Sequence, residues 1–171
     1  MAIFYNDIKD KIERRNNPIS GEREYVNMGE SDIWCMEITL DLIAFDQFQA
    51  GLNYTYLDAE EKEDSNSEER DSEYTPKHKI NLDLAYMFSF GLSTFLQASY
   101  TADQIEHDGD KDVDIDNFFL LNAKLSQDLK AFIKFESDVF IEIKNIADKD
   151  YEEGSGPMPG RSILVGMTVT F

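Results

Sequence analysis

The stretch 47–56, with the sequence QFQAGLNYTY, decides the fold class of this chain. Apolar or aromatic side chains stand at its even positions, and most of its odd positions are polar. The two sets are Phe48, Ala50, Leu52, Tyr54 and Tyr56 against Gln47, Gln49, Asn53 and Thr55. A repeat of two residues places the sets on opposite faces of an extended strand. The sequence therefore predicts a β-strand at 47–58 with one apolar face and one polar face.

The same alternation recurs through the rest of the chain. In segments 80–88 and 161–171, aliphatic and aromatic residues alternate with polar ones. Segment 125–135 allows two interpretations, a strand that continues to a turn at 136–138 or an earlier turn near Lys130. No long stretch shows the 3.6-residue repeat of a helix. The pattern predicts about eight strands, at 2–12, 22–42, 47–58, 77–89, 92–102, 117–129, 138–147 and 161–171.

The predicted connections alternate in length. Those near 43–46 and 89–91 are short and 130–137 is moderate, whereas the remaining ones are long, at 13–21, 59–76, 103–116 and 148–160. In an up-and-down sheet every second connection lies at the same end, so all the long ones fall together. Membrane barrels combine short turns at one end with long loops at the other. The connections therefore favour a membrane barrel over a soluble one.

Negative charge is concentrated in two of the long connections. The chain has 35 acidic and 16 basic residues, a formal net charge of −19, and segments 59–76 and 103–116 contribute −12 of it. The acidity thus belongs to one rim of the predicted barrel. A chain this acidic repels phosphate and has no basic stripe, which excludes nucleic acid as a partner.

Three further features limit the class of protein. No apolar run reaches the length of about 18 residues that marks a membrane-spanning helix. The first residues lack the features of a secretory signal, so we expect either that a signal has been removed or that the chain is a fragment. Cys35 is the only cysteine and cannot form an internal disulfide.

Alternation alone does not reveal which face is inside, since soluble lipid-binding barrels turn the apolar face inward and membrane barrels turn it outward. Large aromatic residues lie toward the strand ends on the apolar face, as interfacial girdles do. We predict a lipid-facing girdle of Trp34, Tyr54, Tyr56, Tyr86, Phe88 and Tyr100. The predicted fold class is all-β, an antiparallel up-and-down transmembrane β-barrel segment of about eight strands. A soluble β-barrel that binds an apolar ligand is the alternative.

A set of short motifs in a fixed order points to a family. They are FYNDIKDKI (4–12), YVNMGE (25–30), LNYTYLDA (52–59), PKHKINL (76–82), KNIADKDY (144–151), PGR (159–161) and the terminal Phe171. In this order they resemble the last strands of the barrel of TonB-dependent outer-membrane receptors, and they span nearly the whole chain. The sequence departs from the family pattern at Cys35, where glycine is usual, and at Ala147, where phenylalanine is common.

The resemblance implies that residues 1–171 are the C-terminal part of a receptor barrel without its plug domain. The family's barrel has about 22 strands, so this chain is incomplete for transport by itself. The implied function is that of a fragment of an active-transport receptor for a chelated-metal or cofactor ligand, of the siderophore or cobalamin type. The implied location is the bacterial outer membrane. A complete eight-stranded membrane barrel remains the alternative.

The resemblance also implies a set of partners. They are the outer-membrane lipid, the barrel-assembly machinery, which would engage the C-terminal strand ending at Phe171, and, in the full-length parent, the TonB energy-coupling protein and an extracellular ligand. We expect no enzymatic activity and no cofactor. The sequence contains no nucleophile, metalloprotease or phosphate-loop motif.

Alternate aspartates in the second acidic segment form a candidate Ca²⁺ site. They are Asp108, Asp110, Asp112, Asp114 and Asp116. Carboxylate oxygens suit Ca²⁺, but the spacing does not match an EF-hand, and solvated loop charge is the alternative. We interpret His78 and His107 as solvated histidines. We expect Arg161 to pair with a lumen carboxylate, for which the candidates are Glu37, Asp41 and Glu142.

Overall fold

The computed structural model describes residues 1–16, 20–27, 29–62, 68–109, 111–130, 133, 136–154 and 156–170. All regular secondary structure in these residues is β-strand. Within this part of the chain, no helix has the length and apolar character that crossing a membrane requires. The all-β prediction is therefore confirmed.

The strands follow one another along the chain with short and long connections in alternation. They are β1 (Ala2–Lys9), β2 (Ile12–Asn16), β3 (Arg23–Asn27), β4 (Glu30–Ala44), β5 (Phe48–Lys62), β6 (Arg70–Asp71), β7 (His78–Met87), β8 (Leu92–Ala102), β9 (Gln104–Asp108), β10 (Lys111–Ile115), β11 (Phe118–Asp128), β12 (Glu136–Lys144), β13 (Glu152–Glu153), β14 (Gly156–Pro157) and β15 (Ser162–Thr170).

Eight of these strands form one antiparallel up-and-down sheet in the order β1-β4-β5-β7-β8-β11-β12-β15, and β6 adds to it by pairing with β5. The pairs β2–β3, β9–β10 and β13–β14 are separate two-stranded ribbons, and each lies within a long connection. In the described residues, β1 and β15 each pair on one side alone, so the sheet is open. The predicted number of sheet strands and their up-and-down order are confirmed.

The structure corrects some predicted strand boundaries and decides one that was open. The predicted strand 2–12 is divided into β1, which ends at Lys9, and β2, which begins at Ile12. The predicted strand 22–42 is divided into β3 and β4, because Gly29 has a φ of +108° and interrupts the extended backbone. The long connections contain ribbons where the sequence predicted loops. In segment 125–135 the earlier turn is correct, since β11 ends at Asp128 and the backbone N–H of Leu129 donates to the carbonyl of Ser137 at 2.8 Å.

The short turns all lie at one end of the sheet, which we call the turn end, and the ribbons lie at the loop end. The turn between β4 and β5 is tight, because Phe45 and Asp46 both adopt left-handed conformations, with φ of 58° and 55°. Ala44 pairs with Phe48, so the chain reverses over only three residues. The predicted segregation of short and long connections is confirmed.

The two faces of the sheet differ as the alternation predicted. One row across five strands consists of Leu40, Leu52, Leu82, Ala98 and Leu121. We call this apolar side the outer face and the polar side the inner face. On the inner face, side chains from β5, β7, β8, β11 and β12 line an open groove of about 630 Å³.

The outer face does not pack into a dry centre. Leu82, near the middle of its strand, is 36% exposed, and Val165 on β15 is 71% exposed. The buried hydrophobic residues in the described part of the chain are few and mostly small, namely Cys35, Ala59, Ala102 and Phe118. A soluble barrel would bury its apolar face, and this arrangement does not.

Candidate functional site: the inner wall and the loop end

A chain of polar side chains crosses the inner face. The side-chain amide of Gln97 donates to Asp83 Oδ1 at 3.1 Å, and that of Asn122 donates to Gln97 Oε1 at 3.1 Å. The oxygen of the Asn122 side chain accepts the backbone N–H of Asn145 at 2.8 Å. Cross-strand pairs of this kind stabilise a sheet while leaving its surface wettable. The inner face can therefore line an aqueous space.

Apolar side chains such as Met87 and Phe95 also line this wall, and one further apolar residue makes a close contact across it. The Phe140 ring lies on Gly166, where an added Cβ would meet Phe140 Cε1 and Cζ at 2.4 Å. The Lys124 ammonium lies 4.8 Å from the centroid of the same ring, within the range of a cation–π interaction. Glycine at 166 is thus required for the close approach of the ring to the strand.

The predicted girdle residues fall into two groups at opposite ends of the strands. The turn-end belt consists of Tyr86, Phe88 and Phe90, whose neighbouring rings lie 4.6 and 5.3 Å apart. The loop-end belt consists of Tyr5, Trp34, Tyr54, Tyr56, His78 and Tyr100. Eight residues of β7 separate the two belts, about 27 Å along the strand, which is close to the roughly 25 Å apolar band of membrane barrels.

Two members of the loop-end belt were not predicted from the sequence. Tyr5 packs on Trp34 with ring centroids 4.7 Å apart. His78 is half-buried, and its Nδ1 hydrogen-bonds the Tyr54 hydroxyl at 2.9 Å. The interpretation of His78 as a solvated histidine is therefore wrong. Its position in the sequence could have indicated this, because His78 and Tyr86 both stand at even positions of β7 and so lie on the same face of the sheet.

At the loop end, β6 and the residues that follow it contact the β9–β10 ribbon. The Arg70 guanidinium donates to Asp112 Oδ1 at 2.7 Å through Nη2 and to the carbonyl of Gly109 at 3.1 Å through Nη1. His107 Nδ1 lies 2.9 Å from the same Asp112 oxygen, and its backbone N–H donates to Glu73 at 2.7 Å. The Arg70 guanidinium holds the pKa of the Asp112 carboxyl below its usual range.

The candidate Ca²⁺ aspartates are only partly brought together. Asp112 is already paired with Arg70, and Asp108, Asp114 and Asp116 are exposed. Asp110 lies outside the described residues. In the part of the chain that the structure describes, no group of three or more acidic, cysteine or histidine side chains is placed to hold a metal ion. The Ca²⁺ site stays a prediction.

Two other predicted residues have different outcomes. Arg161 does not pair with Glu37, Asp41 or Glu142, because its side chain donates to Asp148 Oδ2 at 3.1 Å and its backbone N–H donates to Asp148 Oδ1 at 2.7 Å. Both residues belong to the connection between β12 and β15, so the pair closes that loop. Phe171, the predicted C-terminal strand signal, lies outside the described residues.

An up-and-down antiparallel sheet with an exposed apolar outer face, a polar inner face and all its long connections at one end defines the wall of a transmembrane β-barrel. The family described as TonB dependent receptor-like, beta-barrel, matches residues 1–146. The chain belongs to this family. It is therefore a barrel segment of the bacterial outer membrane, and the family is one of receptors and not of enzymes.

The curated relatives include the iron-regulated outer membrane virulence protein of two Vibrio cholerae strains. It is 27% identical over 120 residues, which are 64% of this chain and 18% of the relative. The chain thus spans less than a fifth of the length of these relatives.

Solved structures share the fold at low identity. The FrpB iron transporter from Neisseria meningitidis has a TM-score of 0.76 at 16% identity, over 96% of this chain and 28% of that one. The ferric-catecholate import receptor Fiu from Escherichia coli has a TM-score of 0.67 at 21% identity, over 96% of this chain and 24% of that one. The ferric enterobactin receptor PfeA from Pseudomonas aeruginosa, as a mutant, has a TM-score of 0.67 at 17% identity, over 99% of this chain and 28% of that one.

Proposed function

We propose that this chain is the C-terminal wall of an outer-membrane receptor that takes up chelated iron of the siderophore type, and that it is incomplete for transport by itself. The observation that carries the proposal is the open sheet with a polar inner face and three ribbons at one end. The names of the relatives favour iron over a cobalamin-type ligand, since they describe an iron-regulated protein, an iron transporter and two ferric-chelate receptors.

In this function, the two faces of the sheet have different roles. The outer face contacts lipid, with the two aromatic belts at the levels of the head groups. The polar inner face lines the aqueous interior through which the ligand passes. The ribbons stand at the mouth of the barrel, where an extracellular ligand arrives first.

The open edges of the sheet define further partners. Backbone donors and acceptors on the free sides of β1 and β15 need partner strands in hydrocarbon, because water is absent there. We expect the barrel-assembly machinery to engage β15 and the rest of a larger barrel to complete the sheet. In the full-length parent, the TonB energy-coupling protein supplies the energy for uptake.

Uptake by a chimeric receptor tests the proposal. Residues 1–171 replace the matching C-terminal part of FrpB, and cells that lack other iron receptors are supplied with radioactive ferric chelates. We expect uptake that depends on TonB. A matched chimera with Leu82→Lys places a charge on the outer face and should be less stable in the membrane by about 2–4 kcal/mol. A wild-type chimera that inserts into the outer membrane but takes up no iron chelate would refute the proposed function.

A further inference from the structure

The last strand of the sheet, β15, pairs on one side alone, with β12. Its outer face carries aliphatic side chains, and so does the facing part of β12. They are Ile163, Val165, Met167 and Val169 on β15, and Val139, Ile141 and Ile143 on β12. A slip of two residues keeps every side chain on its own face and again places aliphatic residues side by side. The apolar stripe therefore sets the face of β15 but not its register.

Polar contacts within the strand do not select the register either. In the part of the chain that the structure describes, no side chain of β15 makes a hydrogen bond or an ion pair. The nearest polar contact is that of Arg161 with Asp148, which comes just before the strand. A slip of two residues would separate this pair, so the Arg161–Asp148 contact is the rival restraint on the register.

One contact on the inner face does distinguish the registers. Phe140 pairs with Gly166, the only glycine of β15. A Cβ at this point would lie 2.4 Å from Phe140 Cε1 and Cζ, well inside the roughly 3.5–4.0 Å at which carbon atoms attract. After a slip of two residues, Leu164 or Thr168 would stand opposite Phe140, and each carries a Cβ. The ring in its present position therefore accepts one register of the two strands.

A second contact holds the ring in this position. The Lys124 ammonium lies over the Phe140 ring, 4.8 Å from its centroid. Lys124 belongs to β11, which pairs with β12 on the side opposite to β15. The cation–π attraction favours the present place of the ring, so the contact with Gly166 is supported across three strands.

We propose that Phe140 and Gly166 form a register lock, in which the ring on β12 admits only the glycine of β15 and so fixes the residues that the two strands place opposite each other. Phe140 is thus a positioning residue for the free edge of β15. A slip of two residues would move that edge by about 7 Å along the strand, and every backbone group offered to a partner strand would move with it. That a strand of a larger barrel pairs with this edge rests on the proposed function. The lock itself does not.

Moving the glycine tests the lock, because the register should follow it. The swap variant, Gly166→Thr with Thr168→Gly, keeps the composition and the outer face unchanged. In this variant we expect position 168 to stand opposite Phe140. The connection before β15 then gains two residues, which a connection of this length tolerates at little cost.

Disulfides between the two strands report the register in the full chain, refolded in detergent micelles with Cys35→Ala. Ile141→Cys with Val165→Cys reports the present register, since these positions are opposite. Ile141→Cys with Met167→Cys reports the slipped one. Opposite Cα atoms lie about 4.5–5.5 Å apart, within reach of a disulfide, and diagonal ones lie about 7–8 Å apart, out of reach. We expect the swap to raise the yield of the second disulfide relative to the first at least about fivefold.

A pair of single variants gives the same test without a threonine in place of Gly166. Thr168→Gly provides a second glycine two residues away, so both disulfides should form. Thr170→Gly is the matched control, because its glycine reaches Phe140 only after a slip of four residues, and only the first disulfide should form. Formation of the first disulfide alone in the swap and in Thr168→Gly would overturn the proposal.

Two further variants separate the lock from the rival restraint. Phe140→Ala in the swap removes the ring, so the yields of the two disulfides should return toward those of the unswapped chain. Asp148→Ala removes the rival contact and should keep the present register. A slip caused by Asp148→Ala alone would refute the lock. A register that follows the glycine, combined with undiminished membrane insertion of the swapped FrpB chimera, would support the lock and count against the proposed place of β15 in a larger barrel.

Discussion

A lysine at position 82 provides the sharpest test of which face contacts lipid. Leu82 lies four residues from Tyr86 in the turn-end belt and four from His78 in the loop-end belt. At about 3.4 Å per residue this is roughly 14 Å of strand in each direction. The side chain therefore stands near the middle of the outer face, where a bilayer is most apolar.

The cost of Leu82→Lys follows from this depth. A lysine at the midplane of the lipid face of a membrane barrel costs about 2–4 kcal/mol, and one near an interface costs about 0–1 kcal/mol. Ile80 shares its row with Tyr54 and Tyr100 of the loop-end belt, so Ile80→Lys should fall in the smaller range. Asn81 projects from the inner face, and Asn81→Lys should cost close to nothing.

Unfolding in lipid vesicles measures these differences. Trp34 is the single tryptophan, lies in the loop-end belt and is more than half exposed, so its fluorescence reports the transfer from the interface to water. We expect the free energy of unfolding to decrease in the order Asn81→Lys, Ile80→Lys, Leu82→Lys. Equal stability of the Leu82→Lys and Asn81→Lys variants would refute the assignment of the outer face to lipid.

Two more variants test local contacts. Gly166→Ala should lower the free energy of unfolding by about 1–3 kcal/mol, because the new methyl group overlaps the Phe140 ring. Adding Phe140→Leu should recover most of this loss of stability. Gly51→Ala is the control and should cost less in the same unfolding experiment, because its new methyl group meets its nearest atom only at 3.4 Å. Arg70 lowers the pKa of Asp112. At pH values above the ordinary pKa of aspartate, the contact between the two side chains therefore stabilises the loops in full. This stabilisation is lost as the pH falls through the lowered pKa of Asp112. Arg70→Gln should therefore raise the Asp112 pKa in an NMR titration, and an unchanged value would contradict the pairing.

The strands of the sheet could be predicted because each is encoded by a pattern within a short stretch of sequence. Alternation in segments such as 47–56 fixes both the strand and its two faces, and the spacing between segments fixes the end at which each connection lies. Gln104 shows where this reasoning stops. Gln104 is buried in a ribbon that lies within a connection predicted as a loop. The two strands of this ribbon are short and rich in charged residues, so no clear apolar face indicates them in the sequence.

Partner choice was the least predictable feature. Arg161 was expected to reach a lumen carboxylate across the sheet, but Asp148 lies in the same connection and accepts from both its backbone and its side chain. A local partner needs less ordering of the chain than a distant one, so it is favoured when both have the same charge.

The segregation of charge has a functional consequence beyond solubility. Segments 59–76 and 103–116 carry −12 of the net charge of −19. The structure puts the described residues of both segments at the loop end. Exposed charges act over about 8 Å at physiological ionic strength, so a ligand meets this field before it meets the inner wall. Anions are repelled within that distance and cations are attracted, so the charge of the loop end favours the approach of cations. Raising the salt concentration should therefore narrow the difference in association rate between a cationic and an anionic small-molecule probe at the loop end, and an unchanged difference would contradict this role of the charge.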